Sequence, residues 1–175
     1  YSGTTLVEQI MSSHHAVYGA GESVAFHKLI GPIVKNHLTR GSNIASTTIG
    51  EMKLNIADTY NLPEEAFLSI RKQYLDELSR FDVPENVITD KSLLNFRFIG
   101  FILSAFPEAK IVHLKRDARA ICWSIYKNNF PQKAIYYGNN MDDLAGFYGL
   151  YVELMDFWHQ LFPDKIYDIC YEDLT

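Results

Sequence analysis

The chain is poor in cysteine, in long apolar runs and in positive charge, and each shortage removes a class of function. Its two cysteines, Cys122 and Cys170, are accompanied by no CxxC pair and no histidine at metal-binding spacing. A disulfide framework and a sequence-local metal site therefore have no basis, and both thiols are expected to be reduced and buried. No apolar stretch approaches the roughly 20 residues that cross a bilayer. The formal net charge of −5 argues against nucleic acid or a membrane surface as a general partner. Basic residues are nevertheless gathered at one place. KIVHLKRDAR (110–119) sets Lys110, Lys115, Arg116 and Arg119 against Asp117 alone, so a local site for an anion is compatible with an acidic protein.

What is present suits one domain with a substantial core: 175 residues, 47% hydrophobic and 21% charged. Thr4–Ser13 reads as a helix with Leu6, Val7, Ile10 and Met11 on one face. HHAVYGAGE (14–22) reads as a glycine-punctuated loop, and a less regular stretch runs on to about Tyr60. Pro63, Glu64 and Glu65 then announce a helix whose apolar spacing is carried by Phe67, Ile70, Tyr74, Leu75 and Leu78. Beyond it, apolar strands at 86–91 and 109–116 alternate with helices at 93–106 and after Asp117. A long helix covers about Met141 to Leu161, and KIYDICYEDL is a third strand meeting a new helix. Strands separated by helices mean βαβ units and a parallel sheet, so the expected class is α/β, with chemistry in the loops that follow the strands.

Two stretches carry candidate chemistry. SGTT (2–5) places a glycine and two threonines at a helix start, where unpaired N–H groups and the helix dipole favour an anion. Taken alone, a plain capped helix is the commoner use of such a turn. Arg116 ends a strand, and Ala120 and Ser124 follow at four-residue steps. A guanidinium with a nearby hydroxyl suits a phosphate, although a surface ion pair with Asp117 is the simpler use of that arginine.

Taken in order, SGTTLVEQIMSSH, DKSLLNFRFIGFILSAFPEAKIVHLKRDARAICWSIY and CYEDL resemble the sulfotransferases that use 3′-phosphoadenosine 5′-phosphosulfate (PAPS). The resemblance spans essentially the whole chain and is nearest to the bacterial tetratricopeptide-linked branch related to tyrosylprotein sulfotransferases. It implies a P-loop-type three-layer fold, with a central parallel sheet flanked by helices, making one catalytic domain over 1–175. It implies that Ser2, Gly3, Thr4 and Thr5 hold the 5′-phosphosulfate and that Arg116 and Ser124 hold the ribose 3′-phosphate, with Tyr171 near the adenine. Glu22 is implied as the base, with His14 and His15 as local rivals, and Lys91 as the cation at the bridging oxygen, oriented by Asp90. Trp123 and Tyr126 are expected to be packing residues.

SGTTL lacks the G-K-[ST] ending of a Walker A turn, and the resemblance implies no essential metal and no nucleoside-triphosphate hydrolysis. The product would be adenosine 3′,5′-bisphosphate, and the acceptor a hydroxyl on a peptide tyrosine, a carbohydrate or a small molecule, its pocket shaped by 24–60. The alternatives are a P-loop nucleotide kinase and a degenerate nucleotide-binding module without turnover. Tyr1 stands where the family has an arginine, and Asn128 where it has a basic residue. The family pattern also begins before Tyr1 and continues past Thr175, so the chain is expected to be part of a longer protein, cytoplasmic by resemblance.

Overall fold

Residues 3–23, 25–38, 62–128, 138 and 140–175 are described by a computed structural model. They divide into two units, Tyr1–Leu6 with Lys110–Thr175, and Val7–Ala109. Each holds a small parallel sheet, so the α/β class read from alternation is observed. Helix α1 (Thr4–Ser12) opens the chain.

In the unit Val7–Ala109, strand β1 (Val17–Gly19) pairs in parallel with β2 (Val87–Thr89), in the register Val17–Val87 and Gly19–Thr89. The sequence reading took this first strand for loop, because three residues are too few for alternation to show among the glycines. Helix α2 (Ala25–Leu38) occupies part of the stretch read as irregular. Pro32 lies inside it and removes a helical hydrogen bond, which is why the sequence gives no clean helical pattern there. The rest of that stretch, through Asn61, lies outside the described residues.

Helix α3 (Glu64–Leu78) begins after extended Pro63 with Glu64 and Glu65 in its first turn, where carboxylates complement the helix dipole. Its buried positions are Ile70 and Tyr74, one turn apart; Leu75, assigned to the same stripe from spacing, is exposed. The stretch 93–106 is helical as expected, but in two pieces: a 3-10 turn, Asn95–Phe98, and α4 (Ile99–Ala105). Phe26, Tyr74 and Phe106 form an aromatic core, with the Phe26 and Tyr74 rings 4.2 Å apart and Phe106 edge-on to Tyr74 at 5.3 Å. Arg71 closes the end of α4: it donates to the Ala105 carbonyl at 3.1 Å, pairs with Glu108 at 2.5 Å and lies 4.8 Å from the Phe106 ring centre.

In the other unit, β3 (Ile111–Lys115) pairs in parallel with β4 (Ile166–Cys170), Lys115 opposite Cys170. Asp117 caps α5 (Ala118–Lys127) by accepting from Ala120 N at 2.9 Å, as its position predicts. Asn128 caps the end of this helix, and residues 129–137, which include the rest of the stretch read as helical from the sequence, lie outside the described set. Helix α6 (Met141–Leu161) is capped by Asn140, which accepts from Asp142 N at 2.8 Å, and buries Leu144, Leu154, Met155 and Trp158. The new helix expected after β4 is only a 3-10 turn, Tyr171–Asp173. Cys122 is half-buried and Cys170 exposed, both free, so the expectation of two buried thiols is not met. No described helix is long and apolar enough to cross a membrane.

Candidate active site

In a parallel pair the two carboxyl ends emerge side by side, and the loops beyond them face one another. Both units use this. Beyond β3 and β4 stand Arg116 and Tyr171, and the Arg116 guanidinium lies 4.3 Å from the centre of the Tyr171 ring, a cation–π contact. Gly3 completes the cluster. Its φ is +92°, and a Cβ built on it would overlap Cδ2 and Cε2 of Tyr171. The residue opening α1 is thus glycine for two independent reasons: a left-handed backbone and a ring pressed against it. Glu172 accepts from Asp117 N at 3.2 Å, tying the two post-strand loops together.

Arg116 precedes α5 rather than lying on it, so the helical face drawn through Arg116, Ala120 and Ser124 is corrected to Ala120 and Ser124 alone. Arg116 instead reaches the Tyr171 ring. Ser124 lies within α5, and its carbonyl accepts from the Asn128 amide at 2.5 Å, a local cap where a basic residue was expected. Thr4 and Thr5 form the first residues of α1, whereas Ser2 and Tyr1 lie outside the described residues. Trp123 and Tyr126, expected to pack, stack on each other at 6.2 Å and are exposed.

Beyond β1 and β2 stand Glu22 and Lys91, with the Lys91 ammonium 3.2 Å from the Glu22 carboxylate. Lys91 is the constrained partner, its side chain 15% exposed against 64% for Glu22. The two loops are laced by backbone bonds, Ala20 N donating to Thr89 O at 3.2 Å and Lys91 N to Gly21 O at 2.9 Å. Gly21 has φ +72°, the turn that a glycine permits. Glu8, which sequence reasoning passed over, holds this geometry: its Oε1 accepts from Gly21 N at 2.9 Å and from the Thr89 hydroxyl at 3.1 Å. The available signal was its single-turn distance from Thr4 and Thr5 on a helix face that otherwise looked solvated.

Asp90, expected to orient Lys91, anchors the loop that carries it. Asp90 accepts from the Tyr74 hydroxyl at 2.7 Å and from the Asn95 amide at 3.1 Å, anchoring the post-β2 loop to α3. Burial raises its pKa above the ordinary 3.8, against the lowering effect of hydrogen bonds from Tyr74, Asn95 and Ser23. An acid with a raised folded-state pKa favours the fold below its unfolded value, and that contribution is lost as pH rises through the folded one. Tyr74→Phe removes a donor to the ionised form. The expected cost is about 1–3 kcal/mol at neutral pH, shrinking towards pH 4, as measured by urea unfolding at both pH values. His14 and His15, the rival bases, are exposed and stacked at 4.5 Å. His14 Nδ1 accepts from Ala16 N at 3.2 Å, the bond of a turn residue.

The model of a group described as the Sulfotransferase family matches residues 2–175. The chain belongs to the sulfotransferase family. An uncharacterized protein of Aquifex aeolicus (strain VF5) is similar to this sulfotransferase chain, 33% identical over 177 residues, covering 99% of the chain and 22% of that protein. The sulfotransferase chain therefore spans about a fifth of the length of that relative. No solved structure matches it. Both candidate clusters of the sulfotransferase chain, Gly3/Arg116/Tyr171 and Glu22/Lys91, fall within the matched residues.

Proposed function

We propose that this sulfotransferase chain forms a single catalytic domain of three-layer, P-loop type, which moves a sulfuryl group from PAPS to a hydroxyl acceptor, a peptide tyrosine being the first candidate. The observation that carries the reading is the meeting of Gly3, Arg116 and Tyr171 at the ends of β3 and β4. A glycine turn opening a helix beside a fixed guanidinium is what a doubly anionic nucleotide requires. The residues fit the cofactor: Gly3, Thr4 and Thr5 would hold its phosphosulfate through first-turn N–H groups and hydroxyls, with Ser2 preceding them in the sequence. Arg116 and Ser124 bind the 3′-phosphate, with Tyr171 holding the guanidinium in place beside the adenine. When bound, PAPS supplies an activated sulfuryl group. Glu22 would take the proton of the attacking acceptor hydroxyl, and Lys91 would neutralise the charge gathering on the departing phosphate. Positioning and electrostatics then carry most of the rate, as in phosphoryl transfer.

Arg116→Lys tests the binding half. Lysine keeps the charge but loses the planar fork and its stacking on Tyr171. Calorimetric titration with adenosine 3′,5′-bisphosphate, without Mg²⁺, is expected to show affinity about 10–100-fold weaker than wild type, with binding of ADP little changed. Equal loss for both nucleotides removes Arg116 from the 3′-phosphate. Binding of ADP alone, and only with Mg²⁺, turns the reading to a nucleotide kinase.

A further inference from the structure

A second polar cluster lies in the unit Tyr1–Leu6 with Lys110–Thr175, built from residues that the proposed sulfuryl transfer does not use. His113 on β3 and Asp168 on β4 are register partners, and His159 comes from the last turn of α6. His113 Nδ1 is 2.8 Å and His159 Nε2 3.2 Å from the same oxygen, Asp168 Oδ1. All three ligand atoms lie within 4.8 Å of one another. Two nitrogens and an oxygen around a tetrahedral zinc-type ion sit about 3.3 Å apart, given bonds of about 2.0–2.1 Å. The cluster needs only small side-chain adjustments to reach that spacing.

We propose that His113, His159 and Asp168 bind a divalent transition ion of the zinc class, fastening α6 to the β3–β4 sheet. Three further observations support it. His159 Nε2 is shut off from solvent and has no aligned hydrogen-bond partner, although Asp168 Oδ1 is near; an ion between them would use that lone pair. The outer contacts that orient metal ligands are already in place. Tyr151 OH meets His113 Nε2 and leaves Nδ1 to face the ion, while Lys115 holds Asp168 through its other oxygen, Oδ2. And the His113 side chain is only 10% exposed, so the ligating atoms are largely shielded from competing water.

Ligand chemistry favours zinc, cobalt or nickel over magnesium or calcium, because two of the three donors are imidazoles. The sequence hides the site: its ligands come from two strands and a helix, at no motif spacing. It stands independently of the sulfuryl-transfer reading, since none of its residues belongs to Gly3/Arg116/Tyr171 or Glu22/Lys91.

The test is titration of the chelator-treated protein with Co²⁺, followed by visible absorption, then displacement by Zn²⁺ and a thermal melt. One saturable equivalent with a d–d band is expected, with a higher melting temperature for the Zn²⁺ form. His159→Gln, at a partly exposed position, is expected to weaken Co²⁺ binding more than tenfold and to abolish the Zn²⁺ shift in melting. Asp168→Asn is expected to do the same, whereas the control His14→Gln/His15→Gln leaves both unchanged. The absence of a saturable equivalent overturns the proposal, as does undiminished binding in His159→Gln and Asp168→Asn. So does loss of binding in the His14/His15 control alone.

Discussion

Replacing Glu22 by Gln in the full-length protein is expected to lower sulfuryl transfer by about 10²–10⁴-fold while leaving the affinity for adenosine 3′,5′-bisphosphate unchanged. The amide still accepts from the Lys91 ammonium, which lies 3.2 Å from Glu22 Oε1, so the loop keeps its shape and loses only the proton acceptor. That separation is what makes the experiment informative. Lys91 is tied at its backbone to Gly21, which is tied in turn to Glu8. A substitution that disturbed the loop would show itself in binding and stability as well as in turnover. Lys91→Met should lower turnover by a comparable factor, and the double variant should fall little below the worse single one, because residues acting as a unit are strongly non-additive. Unaltered turnover in Glu22→Gln with intact binding would remove Glu22 as the base. Rates that multiply in the double variant would mean that Glu22 and Lys91 act separately, their ion pair being a surface contact of small worth.

How much of this was legible in the sequence depends on what kind of signal each element needed. Helices α3 and α5 were readable because single residues mark their starts, Pro63 with Glu64 and Glu65 for one and Asp117 for the other, whereas α6 was readable from the long apolar stripe that buries Leu144, Leu154, Met155 and Trp158. Strands β3 and β4 were readable as apolar runs between helices. Strand β1 was not, because its three residues acquire extended structure from pairing with β2, seventy positions away in the register Val17–Val87, and no local window contains that. Helix α2 was hidden by Pro32, since tertiary burial of Phe26 and Ile30 outweighs a local penalty that a sequence reading must take at face value.

The candidate sites divide in the same way. Glu22 and Lys91 were named from a family pattern and lie together in the fold. The groups that hold them there were not named: Glu8 reaches Gly21 and Thr89, and Tyr74 and Asn95 reach Asp90. A supporting hydrogen bond has no spacing rule, because it depends on where two loops happen to meet. Tyr171 shows the converse. Its position near the nucleotide was an expectation, but its contacts with Gly3 and Arg116 give it a mechanical task that no sequence feature reveals.

That task makes Gly3→Ala the substitution with the largest expected effect on the binding half of the site. Two costs arise together. A φ of +92° lies in the region that side-chain-bearing residues avoid, at about 1–3 kcal/mol. The added methyl must also displace the Tyr171 ring, and with it the guanidinium resting on that ring. Affinity for adenosine 3′,5′-bisphosphate is therefore expected to fall by about 10²-fold or more, because both a helix-start turn and an arginine leave their places. The two costs separate in a double-mutant cycle with Tyr171→Ala, read by urea unfolding. Removing the ring relieves the overlap and leaves only the backbone strain, so Gly3→Ala should destabilise the Tyr171→Ala background by about 1–3 kcal/mol and the wild type by clearly more. Binding should not recover in the double variant, since Arg116 has lost its platform. Equal destabilisation in both backgrounds would mean that the ring swings aside freely. Tyr171 would then be a bystander to the turn, and the arginine would owe its position to something other than the stack.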